Sequence, residues 1–221
     1  MQVGLIGLGK MGYNLALNFR NNHHEVIAFD VNKVAMRNIA ACGIRTAHSV
    51  THLLSGMTGR RIIWIMVPVG NAIDVIINTL KNHLNKGDIV IDGSNSHYYD
   101  TISRAKELAK AGVHFLDCGT GGGVAGALNG ISALVGGEKE IADYCQPLFQ
   151  SICTADGYLY CGKTGNGHFT RMACSDRDHD GKPVISEGMR ALHRYTGQAH
   201  WVEFTHAGKN PQGSFIRSWL N

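Results

Sequence analysis

The chain has 221 residues, 44% of them hydrophobic, and a formal net charge of +4. That length allows one ordinary domain with an appendage, and no apolar run approaches the roughly 20 residues of a membrane-spanning helix, so a soluble fold is expected. The small, dispersed positive charge argues against nucleic acid and mildly favours an anionic ligand. Six scattered cysteines with no C-x-x-C pair read as reduced thiols. The opening MQVGLIG already reads as a core strand, so no signal peptide and a cytoplasmic location are expected.

Gln2–Ile6 is a short apolar run of strand type, followed at once by Gly7-Leu8-Gly9-Lys10-Met11-Gly12. A helical spacing through Phe19 comes next, then the strand-like Glu25–Phe29 and Asp30. Strand, G-x-G-x-x-G turn, helix, strand and acid is the order that holds a dinucleotide. Gly7 permits the tight turn, Gly9 lets a pyrophosphate approach, and Gly12 lets the helix pack closely. The free N–H groups at the helix start then face the anion, with the helix dipole assisting. Asp30 is placed to accept from the adenosine ribose hydroxyls.

Further along, Asn32 can cap a helix through Ala40, and residues 46–54 read as another short helix. Arg61–Val67 is a buried-type strand that ends at Pro68-Val69-Gly70, with an amphipathic helix after it. Asp88–Asp92 is a strand running into Gly93-Ser94-Asn95-Ser96, then a helix to about Lys110. Val113–Asp117 is a strand leading to Gly119-Thr120-Gly121-Gly122-Gly123. Residues 130–137 form a further strand, 138–149 a helix and 157–161 a last short strand. The alternation predicts a Rossmann-type α/β fold, a doubly wound, mostly parallel sheet. Residues 67–70, 92–96 and 117–123 should converge on one crevice at its carboxyl edge.

These motifs, in this order, resemble the 6-phosphogluconate dehydrogenases of the β-hydroxyacid dehydrogenase superfamily, most nearly their short NAD-linked branch. Residues 4–12 (GLIGLGKMG) are similar to the superfamily's opening signature, Met66-Val67-Pro68 to its cofactor loop, and IDGSNS (91–96) to its D-G-G-N-S segment. Gly119–Gly123 stands where the family has S-G-G, and GNGHFTRM (165–172) resembles G-x-G-H-F-x-K-M. The resemblance implies oxidative decarboxylation of 6-phosphogluconate to ribulose 5-phosphate and carbon dioxide, with reduction of a nicotinamide cofactor. It implies that Val67, Pro68 and Asn95 touch cofactor, and that Asn95, Gly121, Gly122 and Gly123 touch substrate. NAD is favoured over NADP, because Asp30 is followed by Val31-Asn32-Lys33 rather than Asn-Arg-Thr, although Lys33 and Arg37 could offset the charge.

After residue 170 the chain departs from the family. Aligned by position, the catalytic lysine becomes Arg171 and the glutamate Asp178, while the substrate-binding histidine and asparagine become Cys174 and Ser175. Arginine, with a pKa above about 12, is a poor general base. Residues 175–183 are charged, with a glycine and a proline and no apolar stripe, and disfavour a buried helix. Family-like sequence returns at Ser186-Glu187-Gly188-Met189 and at Gly213–Leu220, where Arg217 matches the arginine that binds the substrate phosphate. A reading-frame slip across 173–185 would leave this pattern; true divergence is the alternative.

The expected organisation is therefore a NAD-binding domain over 1–163 and an incomplete all-helical domain over 164–221, the part that in the family builds the active site and the oligomer. No metal site is expected, since His179, His193, His200 and His206 match no standard ligand spacing. Two other functions stay open: a non-catalytic dinucleotide-binding remnant, and a dehydrogenase of another β-hydroxyacid.

Overall fold

The computed structural model describes residues 1–175. Its elements are β1 (Gln2–Ile6), α1 (Lys10–Asn21), β2 (Glu25–Phe29), α2 (Lys33–Ala41), β3 (Arg45–Thr46), α3 (Val50–Ser55), β4 (Ile62–Ile65) and α4 (Asn71–Leu80). They continue with β5 (Ile89–Asp92), α5 (Tyr98–Ala109), β6 (His114–Gly121), α6 (Gly123–Asn129), β7 (Ile131–Gly137), α7 (Lys139–Ile152), β8 (Cys153–Gly162) and α8 (Asn166–Ser175). One eight-stranded sheet runs β3-β2-β1-β4-β5-β6-β7-β8. The first six strands in that order are mutually parallel, β7 runs antiparallel to β6, and β8 runs parallel to β7. This is a doubly wound Rossmann-type sheet, and its strand order reverses between β1 and β4, where such sheets open a crevice.

Both faces are covered, which is why the central strands read as unbroken apolar runs. Successive side chains alternate in direction, so Ile62 and Trp64 join one core and Ile63 and Ile65 the other. The first core contains Leu15, Phe19, Leu148 and Phe149 from α1 and α7; the second contains Leu53, Ile73, Ile77 and Leu108 from α3, α4 and α5. Buried Asn18 ties the first layer together, its amide donating to the carbonyls of Ala127 and Ile152, each at 3.1 Å.

The largest departures from the sequence reading are three, while β4 is shorter than read, at Ile62–Ile65, and α7 runs on to Ile152. Residues 46–54 are not one helix: Arg45–Thr46 pairs with β2, and α3 begins only at Val50, capped by the Ser49 hydroxyl. The strand expected at 113–117 continues to Gly121, because β7 supplies an antiparallel partner as far as Ser132, and α6 follows directly. The last strand is ten residues long rather than five. Asn32 caps α2 as expected, accepting from Val34 and Ala35. Among the described residues, no helix is long and apolar enough to cross a membrane.

Candidate functional site

At the turn after β1, each glycine has a separate physical reason. Gly7 has φ +103°, and a Cβ there would sit 2.3 Å from the Met66 carbonyl oxygen, with the Val67 side chain also in the way. A Cβ on Gly12 would meet the Gly7 carbonyl oxygen at 2.0 Å. Gly9 is different: a Cβ there meets nothing within 4 Å. Among the described residues, none fills that position. α1 starts without a side-chain cap and with no acid in its first turn, so the positive end of its dipole faces this space. Lys10 and Pro68 are exposed beside it, and Met11 and Val67 are half-buried. The Asp30 carboxylate accepts the Leu8 N–H at 2.5 Å and the Asn32 N–H at 2.7 Å, which binds the end of β2 to the glycine turn. An open cradle at a helix N-terminus, with a carboxylate alongside, fits the pyrophosphate and ribose of a dinucleotide.

The ends of β5 and β6 form a second half. Asn95 has a left-handed φ of +58° and is exposed, while its neighbour Ser96 is buried. Its amide grips the main chain of Thr120, donating to the carbonyl at 3.1 Å and accepting the N–H at 2.8 Å. The Thr120 hydroxyl returns a bond to the Gly93 carbonyl at 3.1 Å. Arg171 arrives from α8, and its Nε donates to the same Thr120 carbonyl at 3.0 Å. Asn95, Arg171 and the Gly121-Gly122-Gly123 turn thus belong to one cluster. Gly122 and Gly123 carry φ of +101° and +60°, which L side chains rarely adopt.

What holds α8 in this cluster is a set of buried residues to which sequence reading gave no role. Asp117, fully buried, accepts the Gly165 N–H at 2.7 Å and the His168 N–H at 2.9 Å. Burial raises the pKa of this carboxyl, and the neighbouring His168 and the two N–H donors oppose the rise. His168 sets Nε2 at 3.1 Å from the Asp92 carbonyl and Nδ1 at 2.7 Å from the Thr101 hydroxyl. The backbone of α8 also lies directly on the sheet. A Cβ at Gly167 would meet the Leu134 carbonyl at 2.4 Å, and one at Gly136 the Gly167 nitrogen at 2.7 Å. The clue was present in GNGHF, where the glycines and histidine precede the basic residue at a fixed offset.

Among the described side chains, the buried thiols are not activated as nucleophiles. Burial pushes Cys145 and Cys153 up to about 12 and holds Cys118 well above the ordinary thiol range. Among the described residues no group of His, Cys, Asp and Glu is arranged to hold a metal ion. The side chains of Cys174 and Ser175, together with Asp178, the block to 185 and Arg217, lie outside the described residues.

Residues 2–162 match the family described as the NAD binding domain of 6-phosphogluconate dehydrogenase. The chain belongs to the 6-phosphogluconate dehydrogenase family. It is 36% identical over 221 residues to the NAD(+)-dependent, decarboxylating 6-phosphogluconate dehydrogenase of Haloferax volcanii, covering 100% of this chain and 72% of that one. Against the NADP(+)-dependent, decarboxylating enzyme of Bacillus subtilis it is 34% identical over 204 residues, covering 89% of this chain and 44% of the other. This 6-phosphogluconate dehydrogenase relative therefore has family members of both cofactor types. In fold it is similar to the Plasmodium falciparum 6-phosphogluconate dehydrogenase, with TM-score 0.77, 24% identity, and coverage of 94% of this chain and 46% of that one.

Proposed function

We propose that this chain carries the NAD-binding half of a 6-phosphogluconate dehydrogenase that oxidatively decarboxylates its substrate, and that it prefers NAD to NADP. The observation that carries the proposal is the open position at Gly9, set between an uncapped helix end and the Asp30 carboxylate. In this reading Gly7 to Gly12 and Asp30 hold the adenosine and pyrophosphate, Val67 and Pro68 line the cofactor, and Asn95 sits at the nicotinamide end. Each Asp30 oxygen takes one backbone N–H, which leaves a second lone pair on each for the ribose hydroxyls. The same charge repels a 2′-phosphate. When bound, the cofactor supplies the hydride acceptor. Gly122 and Gly123, beside Gly121, offer main-chain N–H groups to the substrate carboxylate. Arg171 keeps its proton near neutral pH, so it can hold an anion but not take the proton of the substrate hydroxyl. Residues 164–221 belong, by lineage, to the helical half that contributes the rest of the catalytic set, and a cytoplasmic location accompanies this metabolic role.

Titration calorimetry with NAD and NADP tests the cofactor half. NAD should bind more tightly, and Asp30→Ala should narrow the gap by about 1.5–3 kcal/mol, the contribution of a hydrogen bond to a charged group. Equal or reversed affinities in the unaltered chain would refute the preference. A second reading, a dinucleotide-binding protein without turnover, draws its support from Arg171 on the Thr120 carbonyl. Reduction of NAD with 6-phosphogluconate separates the two.

A further inference from the structure

Behind Asn95 lies a largely buried polar network. Asp92, fully buried at the end of β5, accepts the Ser94 N–H at 3.0 Å, the Ser94 hydroxyl and the Ser96 hydroxyl at 3.0 Å. The two serine hydroxyls are themselves 2.9 Å apart. Arg104 reaches into this group from α5 and is only 6% exposed. One terminal nitrogen donates to the Ser96 hydroxyl at 2.9 Å and lies 3.8 Å from Asp92 Oδ2. Its Nε donates at 2.7 Å to Asp74 on α4.

A buried guanidinium is costly unless its donors are matched, and here its planar fork spans two elements at once. It donates to Ser96, which is bonded in turn to Asp92 and Ser94, and the two serines flank Asn95. Asn95 is a non-glycine residue in the left-handed region, a conformation that persists only where the surroundings over-determine it. The Asp92 and Arg104 contacts hold the turn from below, and the Thr120 main chain holds it from the side.

We propose that Arg104 is a positioning residue for the nicotinamide half of the dinucleotide: by bridging Asp74 to the Asp92–Ser96 pair, it fixes the turn that presents Asn95. This rests on the placement of Asn95 at the nicotinamide end. The adenosine half, held by Asp30 and the glycine turn on the other side of the strand-order reversal, does not depend on Arg104. The inference therefore predicts a split between two ligands that share that half.

The test measures NAD and ADP-ribose affinity by calorimetry on the full chain and on Arg104→Lys, Arg104→Met and Asp74→Ala, with folding checked by circular dichroism. Lysine keeps a charge near Asp92 but cannot bridge both partners. Asp74→Ala removes the outer anchor from a half-exposed site without unpairing the buried Asp92, so it should remain folded if Arg104→Met does not. NAD affinity should fall about three- to tenfold in each folded variant, while ADP-ribose affinity stays within about twofold. Parallel losses for both ligands, or no loss for either, would overturn the assignment. So would an unaltered chain that binds NAD no more tightly than ADP-ribose. An unaltered chain that binds neither ligand would overturn the dinucleotide reading itself, and this inference with it.

Discussion

Gly9 and Gly12 stand three residues apart in one motif, yet a side chain at each would meet different things. At Gly12 it collides with the Gly7 carbonyl; at Gly9 it enters open space. Gly12 is required by the fold, and Gly9, in the function proposed, by a ligand, a distinction the motif alone does not make. Gly12→Val should therefore lower the thermal midpoint by an overpacking cost of about 1–3 kcal/mol or more. Gly9→Val should leave the midpoint nearly unchanged and weaken NAD binding at least tenfold. Thermal unfolding and calorimetry on the two variants check this, and a Gly9→Val chain with undiminished NAD affinity would remove the cradle from the proposed site. Asp30 carries a similar double duty. The ribose role proposed for it rests on position in the sequence, whereas its bonds to the Leu8 and Asn32 N–H groups were not legible there, because they depend on how closely β2 approaches the turn. Asp30→Ala consequently also loosens the turn.

Among the elements, those legible in the sequence were the ones with strong periodicity or a cap: β1, α1, β2, α2 with Asn32, and the apolar runs of β4 and β5. β3 was missed because two residues carry no period. β6 was cut short because Gly119, Thr120 and Gly121 look like a loop, and their strand geometry comes from pairing with β7. Periodicity also carries no information on direction, so the reversal of β7 was invisible. The attachment of α8 was hidden for another reason, since it depends on glycines that are far apart in sequence. Gly119, Gly136 and Gly167 let backbone lie on backbone, and Asp117 then accepts two N–H groups at the root of the helix. A methyl group at Gly136 would fall 2.7 Å from both the Asp117 Oδ1 and the Gly167 nitrogen. Gly136→Ala should therefore cost about 1–3 kcal/mol in urea unfolding. Because Arg171 is carried on the displaced helix, the anion affinity of the cluster should fall as well. A fully stable Gly136→Ala chain would show that the helix root can shift without strain.

In the whole molecule, the sheet brings the glycine turn and the Asn95–Thr120 cluster, proposed above for dinucleotide and substrate, to one edge, and α8 places Arg171 there on the Thr120 carbonyl. Binding and chemistry then come apart. The cradle needs only β1, α1, β2 and the ends of β4 and β5, all family-like in sequence. Chemistry needs a group that accepts the proton of the substrate hydroxyl, and a positioned general base contributes about 10²–10⁴-fold. A guanidinium with pKa above about 12 forfeits that factor. Turnover of 6-phosphogluconate with NAD should therefore fall below about 0.1 s⁻¹, against the ~10 s⁻¹ typical of enzymes, while NAD binding persists. Arg171→Lys alone should restore little, because Cys174, Ser175 and Asp178 also replace the residues that the family pairs with its lysine. The measurement is the appearance of NADH at 340 nm, in parallel with NAD titration, for both chains. If the unaltered chain turns over within about tenfold of the typical rate, another residue takes the proton and the role given to position 171 is wrong. If Arg171→Lys alone reaches that rate, the replacements at 174, 175 and 178 are tolerated and the arginine was the one obstacle to catalysis.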